Sequence, residues 1–257
     1  MIGSVVAAYN MQLTLYISMV SIMASAAMAT MLPDYNAYSE ANNRSGFDGY
    51  FKVLKDSMLF CLKHADISIL VGFNITILVT AGVLDEYDQL IVRSMGVPLA
   101  MVGLWGLLRY GMEAFGGRFA WRLKKILAKY HIKKPVSIQS FISVCAAVLI
   151  AATAVFPIIY MLPVYVLYYF ILSAGKVLFT DTIQSEIHNE GRATVQSLTM
   201  MLEAPSAMFI YFLFGVAGKF TRLQGGMLAV AIWILGFCVL FSFINARRKG
   251  RVVLEKQ

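Results

Sequence analysis

The sequence is dominated by apolar stretches of about 20 residues, a length that carries a helix across the hydrocarbon core of a bilayer. In that core every backbone hydrogen bond must be made within the protein, and a helix meets this requirement by itself. The pattern therefore predicts an all-α fold, a polytopic membrane helical bundle of about seven transmembrane helices. The predicted spans are Met11–Leu32, Asp66–Val83, Val97–Phe115, Val136–Phe156, Ile158–Thr180, Thr194–Ala217 and Gly225–Ile244.

Composition supports a membrane protein, because 59% of the residues are hydrophobic and only 14% are charged. Soluble domains carry about 25% charged residues. The cysteines and histidines lie far apart and show no metal-ligand spacing, so we expect no metal and no other cofactor. The sequence contains no HExxH, no GxSxG, no paired intramembrane aspartates and no Gly-rich phosphate loop, which argues against an enzyme and against catalytic residues.

The first apolar stretch is long for one span, and Asn10 divides it. Residues 2–9 are interpreted as the stub of a preceding helix, so the start is expected to be truncated or misassigned. Without a basic n-region or a cleavage site, a signal peptide is not expected. Pro33–Gly49 is predicted as a loop, and Tyr50–His64 as an amphipathic helix at the membrane interface or, alternatively, a partner-binding helix.

Positive charge is concentrated after the third predicted span, in a segment without acidic residues. A nucleic-acid-binding patch is one interpretation, but a short loop between membrane helices leaves no room for such a module. The positive-inside rule explains the cluster better, so the predicted partner is the lipid bilayer and not nucleic acid. With this loop inside the cell, most of the 22 lysines and arginines are inside, which predicts a multi-pass cell-membrane protein with a cytoplasmic C-terminus.

Four short motifs occur in order along the chain: Tyr87-Asp88-Gln89-Leu90, Gly116-Gly117-Arg118 with Arg122, Gln184-Ser185-Glu186 before Gly191-Arg192-Ala193-Thr194 and Ser197, and Phe214-Gly215-Val216-Ala217-Gly218. Together they resemble landmarks in the second half of drug-efflux-like transporters of the bacterial major facilitator superfamily. The resemblance implies that the seven spans correspond to the sixth to twelfth helices of that family. It also implies close helix approach at Gly116 and Gly117, and contacts of Arg118 and Arg122 with helix carbonyls and acidic lipids.

The same resemblance implies a division of the chain. Residues 1–32 would end the N-terminal half, and residues 33–65 would form a cytoplasmic linker with the amphipathic helix. Residues 66–246 would form the six-helix C-terminal bundle, followed by a basic tail at 247–257. The family's first five helices are missing, so the expected function is that of a truncated, proton-coupled carrier of a small organic solute. We expect it to be inactive without a separate N-terminal half or self-association, because alternating access needs two bundles.

Charged side chains within the spans are the candidates for a substrate or ion pathway, since each costs about 2.5–3.5 kcal/mol to insert near the bilayer centre. Arg109 and Glu113 are four residues apart and are predicted to pair, either as a structural pair or for gating or substrate contact. Glu203 is either a proton carrier or a hydrogen-bonded contact between helices. Lys176 is expected to extend to the headgroups.

A second group of candidates lies at the outer end of the second span. Asp85, Glu86 and Asp88 either attract cations and relay protons, or form a solvated helix end with Arg93 as counter-charge. Weaker candidates for lining a cavity are Asn74 and Gln89. The alternative to a transporter is a seven-helix membrane protein without transport activity, such as an assembly factor or a receptor.

Overall fold

The computed structural model describes residues 11–31, 65–186 and 189–254, together with Lys55 and Leu59. The predicted loop at 33–49 and the predicted amphipathic helix at 50–64 lie outside these ranges, apart from Lys55 and Leu59, whose side chains are exposed. Residues 187 and 188, between the fifth and sixth predicted spans, also lie outside them.

The described chain forms six helical elements: α1 (Met11–Ala29), α2 (Ala65–Ser94), α3 (Val102–Lys129), α4 (Pro135–Val155), α5 (Leu162–Glu186) and α6 (Asn189–Leu254). Single 3-10 turns at Leu99–Met101 and Ile159–Met161 precede α3 and α5. No strand occurs in the described ranges, which confirms the all-α fold class.

The last element consists of two helices that fold back on each other. Its backbone leaves helical geometry at Thr221 (φ −134°, ψ 27°) and Arg222 (φ 57°, ψ −145°). The ring centroids of Phe209 and Trp233 lie 5.2 Å apart across this break, whereas a straight helix would separate them by about 36 Å. We call the two arms α6a (189–220) and α6b (223–254). Pro205 lies within the helix of α6a.

Four of the helices are long and apolar enough to cross a membrane, judged by length and composition: Ile67–Ser94, Pro135–Val155, Ile159–Ser185 and Leu198–Asn245. They indicate a membrane protein built as a helical bundle. The fourth segment contains 48 residues and the break, so it covers both of the last two predicted spans. Helix α3 is not among the four, and the apolar part of α1, Leu15–Ala29, is shorter. Seven crossings therefore stay a prediction.

Two predicted loops are wrong, because the helices continue through the polar segments. Helix α3 runs through the basic cluster to Lys129, so only residues 130–134 separate it from α4. Lysine and arginine are good helix formers, and the buried Ala120 and Leu127 continue the packed face of α3. The polar segment left between the fifth and sixth predicted spans, residues 181–193, is likewise mostly helical, since α5 ends at Glu186 and α6 begins at Asn189.

The bundle is held by helix pairs around a large apolar core and a second, smaller apolar cluster. Helix α3 packs on α5, both α2 and α4 pack on α6, and α4 packs on α5. The ring of Phe241 in α6b lies against Gly72 of α2, and Tyr87 near the other end of α2 stacks on Phe214 of α6a at 4.3 Å. The chain alternates direction, so residues 130–134 and the α5–α6 junction share one end, which we call the basic end. Residues 95–101, residues 156–161 and the α6 break share the opposite end.

Helices α3 and α5 approach each other closely at Gly116. A Cβ atom built there would overlap the carbonyl oxygen of Phe170 and lie 3.0 Å from its Cα and carbonyl carbon. A Cβ at Gly117 would make an ordinary contact, 3.4 Å from Oγ of Ser173. The close approach expected from the glycine pair is thus present at Gly116, where only a residue without a side chain fits.

Candidate functional site

The centre of the first candidate site is Arg109, a buried arginine of α3 that contacts three carboxylates. Its guanidinium pairs with Asp85 and, at 3.4 Å, with Oδ2 of Asp88, both on α2. Its Nε atom lies 3.2 Å from Oε1 of Glu113 one turn along α3, which confirms the predicted pair. We call these four residues the ionic cluster. The guanidinium also lies 4.2 Å from the ring centroid of Tyr169, a distance suited to a cation–π interaction.

Asp88 is the most enclosed carboxylate of the ionic cluster, with 4% of its surface exposed. The indole of Trp105 donates to its Oδ2 at 2.7 Å, and the hydroxyl of Tyr169 donates to its Oδ1 at 3.0 Å. The hydroxyl of Tyr165 lies 2.9 Å from that of Tyr169, and its ring stacks on Trp105 at 5.5 Å. Both oxygens of Asp88 therefore have donors, as a buried charge requires.

Helical spacing explains how these side chains meet. On α2, residues 85 and 88 are three apart, and on α3 residues 105, 109 and 113 recur every four, so each set lies on one helix face. Residues 165 and 169 repeat the same spacing on α5. The close contact of α3 with α5 at Gly116 brings the two aromatic faces together about two turns from the arginine.

The ionic cluster has more acidic groups than its single arginine can neutralise. Asp85 and Glu113 are the accessible carboxylates, with side chains 48% and 32% exposed, while that of Asp88 is 5% exposed. Among the described residues no group of three or more histidine, cysteine or carboxylate side chains is arranged to hold a metal ion. The ionic cluster thus places three carboxylates beside one arginine, which leaves a formal excess of negative charge at this site.

The second candidate site is a cavity of about 360 Å³ between α2, α5 and α6a. Its size falls within the range of small-molecule sites. Its polar lining comes from Asn74 on α2, Lys176 on α5, and Thr199 and Glu203 on α6a, among other residues. The apolar part of the wall includes Phe179. We call this space the polar cavity; it combines an acid, a base, amide and hydroxyl groups with an aromatic surface.

The predicted pathway residues separate into these two sites. Asp85, Asp88, Arg109 and Glu113 meet in the ionic cluster. Asn74 and Glu203 line the polar cavity, together with Gln184 of the motif before the sixth predicted span. Glu86 and Gln89 are exposed.

Arg93 was considered as the counter-charge for the acidic residues at the outer end of the second predicted span, and for Asp85 and Asp88 this is wrong. Arg93 is exposed, and the ion pairs of Asp85 and Asp88 are made with Arg109 of α3 instead. Arg118 and Arg122, predicted from the glycine motif, are exposed on the last turns of α3. Arg192 lies in α6, and its side chain is outside the described part of the protein.

Sequence reasoning missed three aromatic partners of the ionic cluster: Trp105, Tyr165 and Tyr169. The signal that was available is spacing, since Trp105 precedes Arg109 by four residues and the tyrosines are four apart. Lys176, expected to extend to the headgroups, is exposed and also lines the polar cavity.

Comparison with known proteins gives no relative from which a role for these residues could be taken. No family model, no curated protein and no solved structure matches this chain.

Proposed function

We propose that this chain forms one helical bundle of a proton-coupled secondary transporter for a small organic solute. The observation that carries the proposal is the polar cavity within helices long enough to cross a membrane. Polar groups within the hydrocarbon core of a membrane are costly, and those that persist in membrane helices usually mark solute or ion pathways. An acid and a base on opposite helices, Glu203 and Lys176, give the cavity groups that can bind a polar solute.

The proposed arrangement in the membrane has seven crossings, with the basic end and the C-terminus in the cytoplasm. The support is the positive-inside rule, because the basic end carries the lysines of the last turns of α3 and the segment after it. The chain then contacts the lipid bilayer over most of its surface, which suits its many exposed apolar side chains.

One bundle supplies only one wall of a transport pathway, because alternating access requires two bundles that move about a shared site. We propose that a second bundle, from another polypeptide or from a second copy of this chain, covers the polar cavity. The resemblance to major facilitator transporters is part of this proposal, and the helical bundle of the described residues is compatible with it.

Proton coupling is assigned to carboxylates that reach the two candidate sites. Glu203, partly buried at the wall of the polar cavity, is the proposed carrier next to the solute. The ionic cluster is the second proposed proton store, because it has an excess of carboxylates over Arg109.

The test begins with access of water to the polar cavity. In a variant without native cysteines, Met200→Cys places a thiol in the cavity wall, and Met208→Cys places one on the same helix outside it. Both positions are exposed in the bundle, at 59% and 74%. In membrane vesicles, a membrane-impermeant maleimide should label position 200 and leave position 208, surrounded by lipid, unlabelled. Equal labelling of the two would contradict a water-filled pathway.

The same vesicles test transport with ethidium as the probe solute and an imposed pH gradient. We expect Glu203→Gln to abolish gradient-driven uptake, and Glu86→Gln, exposed and outside the polar cavity, to leave it unchanged. Proteoliposomes with this chain alone should show no uptake. A stable, monodisperse chain without ethidium uptake in either preparation and without selective labelling at position 200 would favour the alternative, a membrane protein without transport activity.

A further inference from the structure

A small cavity at the basic end lies where α3, α4 and α5 meet. Its volume is about 30 Å³, enough for one or two oxygen atoms of a ligand or for a water molecule. Lys124 of α3 and Lys133 of the following segment line it, with Pro135 and Gln139 of α4 and Thr182 of α5. We call it the basic-end cavity; it shares no polar lining residue with the polar cavity.

The N-terminus of α4 opens onto the basic-end cavity. Helix α4 has 21 residues and begins at Pro135, without a side-chain cap from Lys134 and without an acidic residue in its first turn. Pro135 has no N–H and the N–H of Ile138 bonds the carbonyl oxygen of Lys134, so the backbone donors left at this end are those of Val136 and Ser137. The helix dipole places partial positive charge at the same end. An uncapped end of this kind attracts an anion.

A buried hydrogen-bond donor at the same place is without a partner. Gln139 is 3% exposed, and its Nε2 atom makes no hydrogen bond to any described residue. The side chain of Gln139 lies against α5 near Gly175, since a Cβ built at Gly175 would lie 3.9 Å from Nε2. A buried donor left unsatisfied lowers stability, and an acceptor in the cavity would recover that loss.

The charge around the basic-end cavity favours an anionic ligand. Lys124 is paired with Asp181 at 2.7 Å, so its charge is largely balanced. Lys133 is exposed, and within the described ranges no carboxylate pairs with it. An anion at the mouth of the cavity would therefore meet the lysine ammonium, the uncapped helix end and the amide of Gln139 together.

We propose that the basic-end cavity binds a phosphate group, with one oxygen directed inward to Gln139 and the others at Lys133 and the start of α4. The cavity lies where the apolar part of α4 ends and basic residues begin, which is the depth of lipid headgroups in a membrane. An anionic membrane lipid is therefore the expected source of the phosphate. The proposal does not depend on transport.

The test measures phosphate-dependent stability of the full-length chain in detergent micelles. Unfolding temperature is followed by tryptophan fluorescence during titration with phosphatidylglycerol, with phosphatidylcholine, or with inorganic phosphate. Two variants remove the proposed contacts: Gln139→Leu, which replaces the unpaired amide by an apolar side chain of similar size, and Lys133→Gln, which changes an exposed residue. Lys129→Gln, exposed on the same end but outside the cavity lining, is the matched control.

We expect phosphatidylglycerol to raise the unfolding temperature of the unmodified chain more than phosphatidylcholine does. Its apparent Kd should rise about tenfold in each variant, as expected for loss of one hydrogen bond to a charged group. The apparent Kd of the Lys129→Gln control for phosphatidylglycerol should stay close to that of the unmodified chain. Stabilisation by inorganic phosphate, lost in the same variants, would support the site with free phosphate as its source. The proposal would be overturned by equal effects of the two lipids without any effect of inorganic phosphate, or by the same affinity for the stabilising ligand in all four proteins.

Discussion

The contact of Gly116 with α5 makes a specific prediction about the substitution Gly116→Ala. The added methyl group would overlap the carbonyl oxygen of Phe170 and lie 3.0 Å from two of its backbone carbons. Unstrained carbon pairs are about 3.5–4.0 Å apart, so the helices must separate by about 0.5–1 Å. Neither partner can move by rotating a side chain, because the Phe170 atoms belong to the backbone of α5.

The expected cost follows from this displacement. Overpacking of a close contact typically destabilises a protein by about 1–3 kcal/mol. The same movement acts on the ionic cluster, because Tyr169 adjoins Phe170 and donates to Asp88 at 3.0 Å. A retreat of about 1 Å would lengthen this bond beyond hydrogen-bonding distance. We therefore expect Gly116→Ala to lower the free energy of unfolding by about 2.5–6 kcal/mol, the sum of about 1–3 kcal/mol for overpacking and about 1.5–3 kcal/mol for one lost charge-assisted hydrogen bond.

Chemical unfolding in dodecylmaltoside micelles measures this change, with tryptophan fluorescence as the signal. Trp105 is a suitable probe because it stacks on Tyr165 across the contact of α3 with α5. Gly111→Ala is the matched control, since a Cβ there has no atom within 4 Å. It should stabilise α3 by up to about 1 kcal/mol through helix propensity. Equal shifts for the two alanine variants would refute the reasoning, because their difference rests on the Phe170 contact alone.

Two further predictions concern the ionic cluster and the α6 break. Arg109→Met should destabilise the bundle by about 3–5 kcal/mol in the same unfolding assay, because it leaves buried charge unpaired. Adding Asp88→Asn should recover part of that loss; additive effects of the two substitutions would contradict the pairing. Arg222→Gly should raise stability by about 1 kcal/mol, because the φ of 57° with ψ of −145° suits glycine. Thr221→Gly, at a negative φ, should not stabilise; a gain there equal to that of Arg222→Gly would refute the strain argument.

The positions of the apolar helices could be predicted from the sequence, because length and hydrophobicity decide them locally. Helix α4 was expected at 136–156 and is found at Pro135–Val155, where the proline marks the first helical position. The helix ends at the basic end could not be read in the same way. Charged residues begin where the membrane interior ends, but a helix does not have to stop there, so α3 and α5 extend beyond the predicted spans.

The ionic cluster was predictable only in part. Spacing along α3 was enough to pair Arg109 with Glu113, since both lie on one face of one helix. The choice of Arg109, and not Arg93, as the partner of Asp85 depends on which helix packs against α2. That is a tertiary property, and no pattern within α2 contains it.

The polar cavity, too, depends on packing between helices that the sequence of a single helix does not contain. Asn74 and Glu203 were separate candidates in separate helices, and the sequence had no means of placing them in one wall. Their common location follows from the packing of α2 on α6.

Helices α2 and α5 take part in both candidate sites. Towards the end of the bundle away from the basic end, the hydroxyl of Tyr169 on α5 donates a hydrogen bond to Asp88 on α2. About 21 Å further along α2, Asn74 faces the polar cavity, with Lys176 across it on α5. The two helices are thus joined by a hydrogen bond near one end and separated by the polar cavity nearer the other. A ligand that widens the polar cavity must bend α2 and α5 about the hydrogen bond between Tyr169 and Asp88. The strength of that bond therefore limits how far the two helices can separate at the cavity.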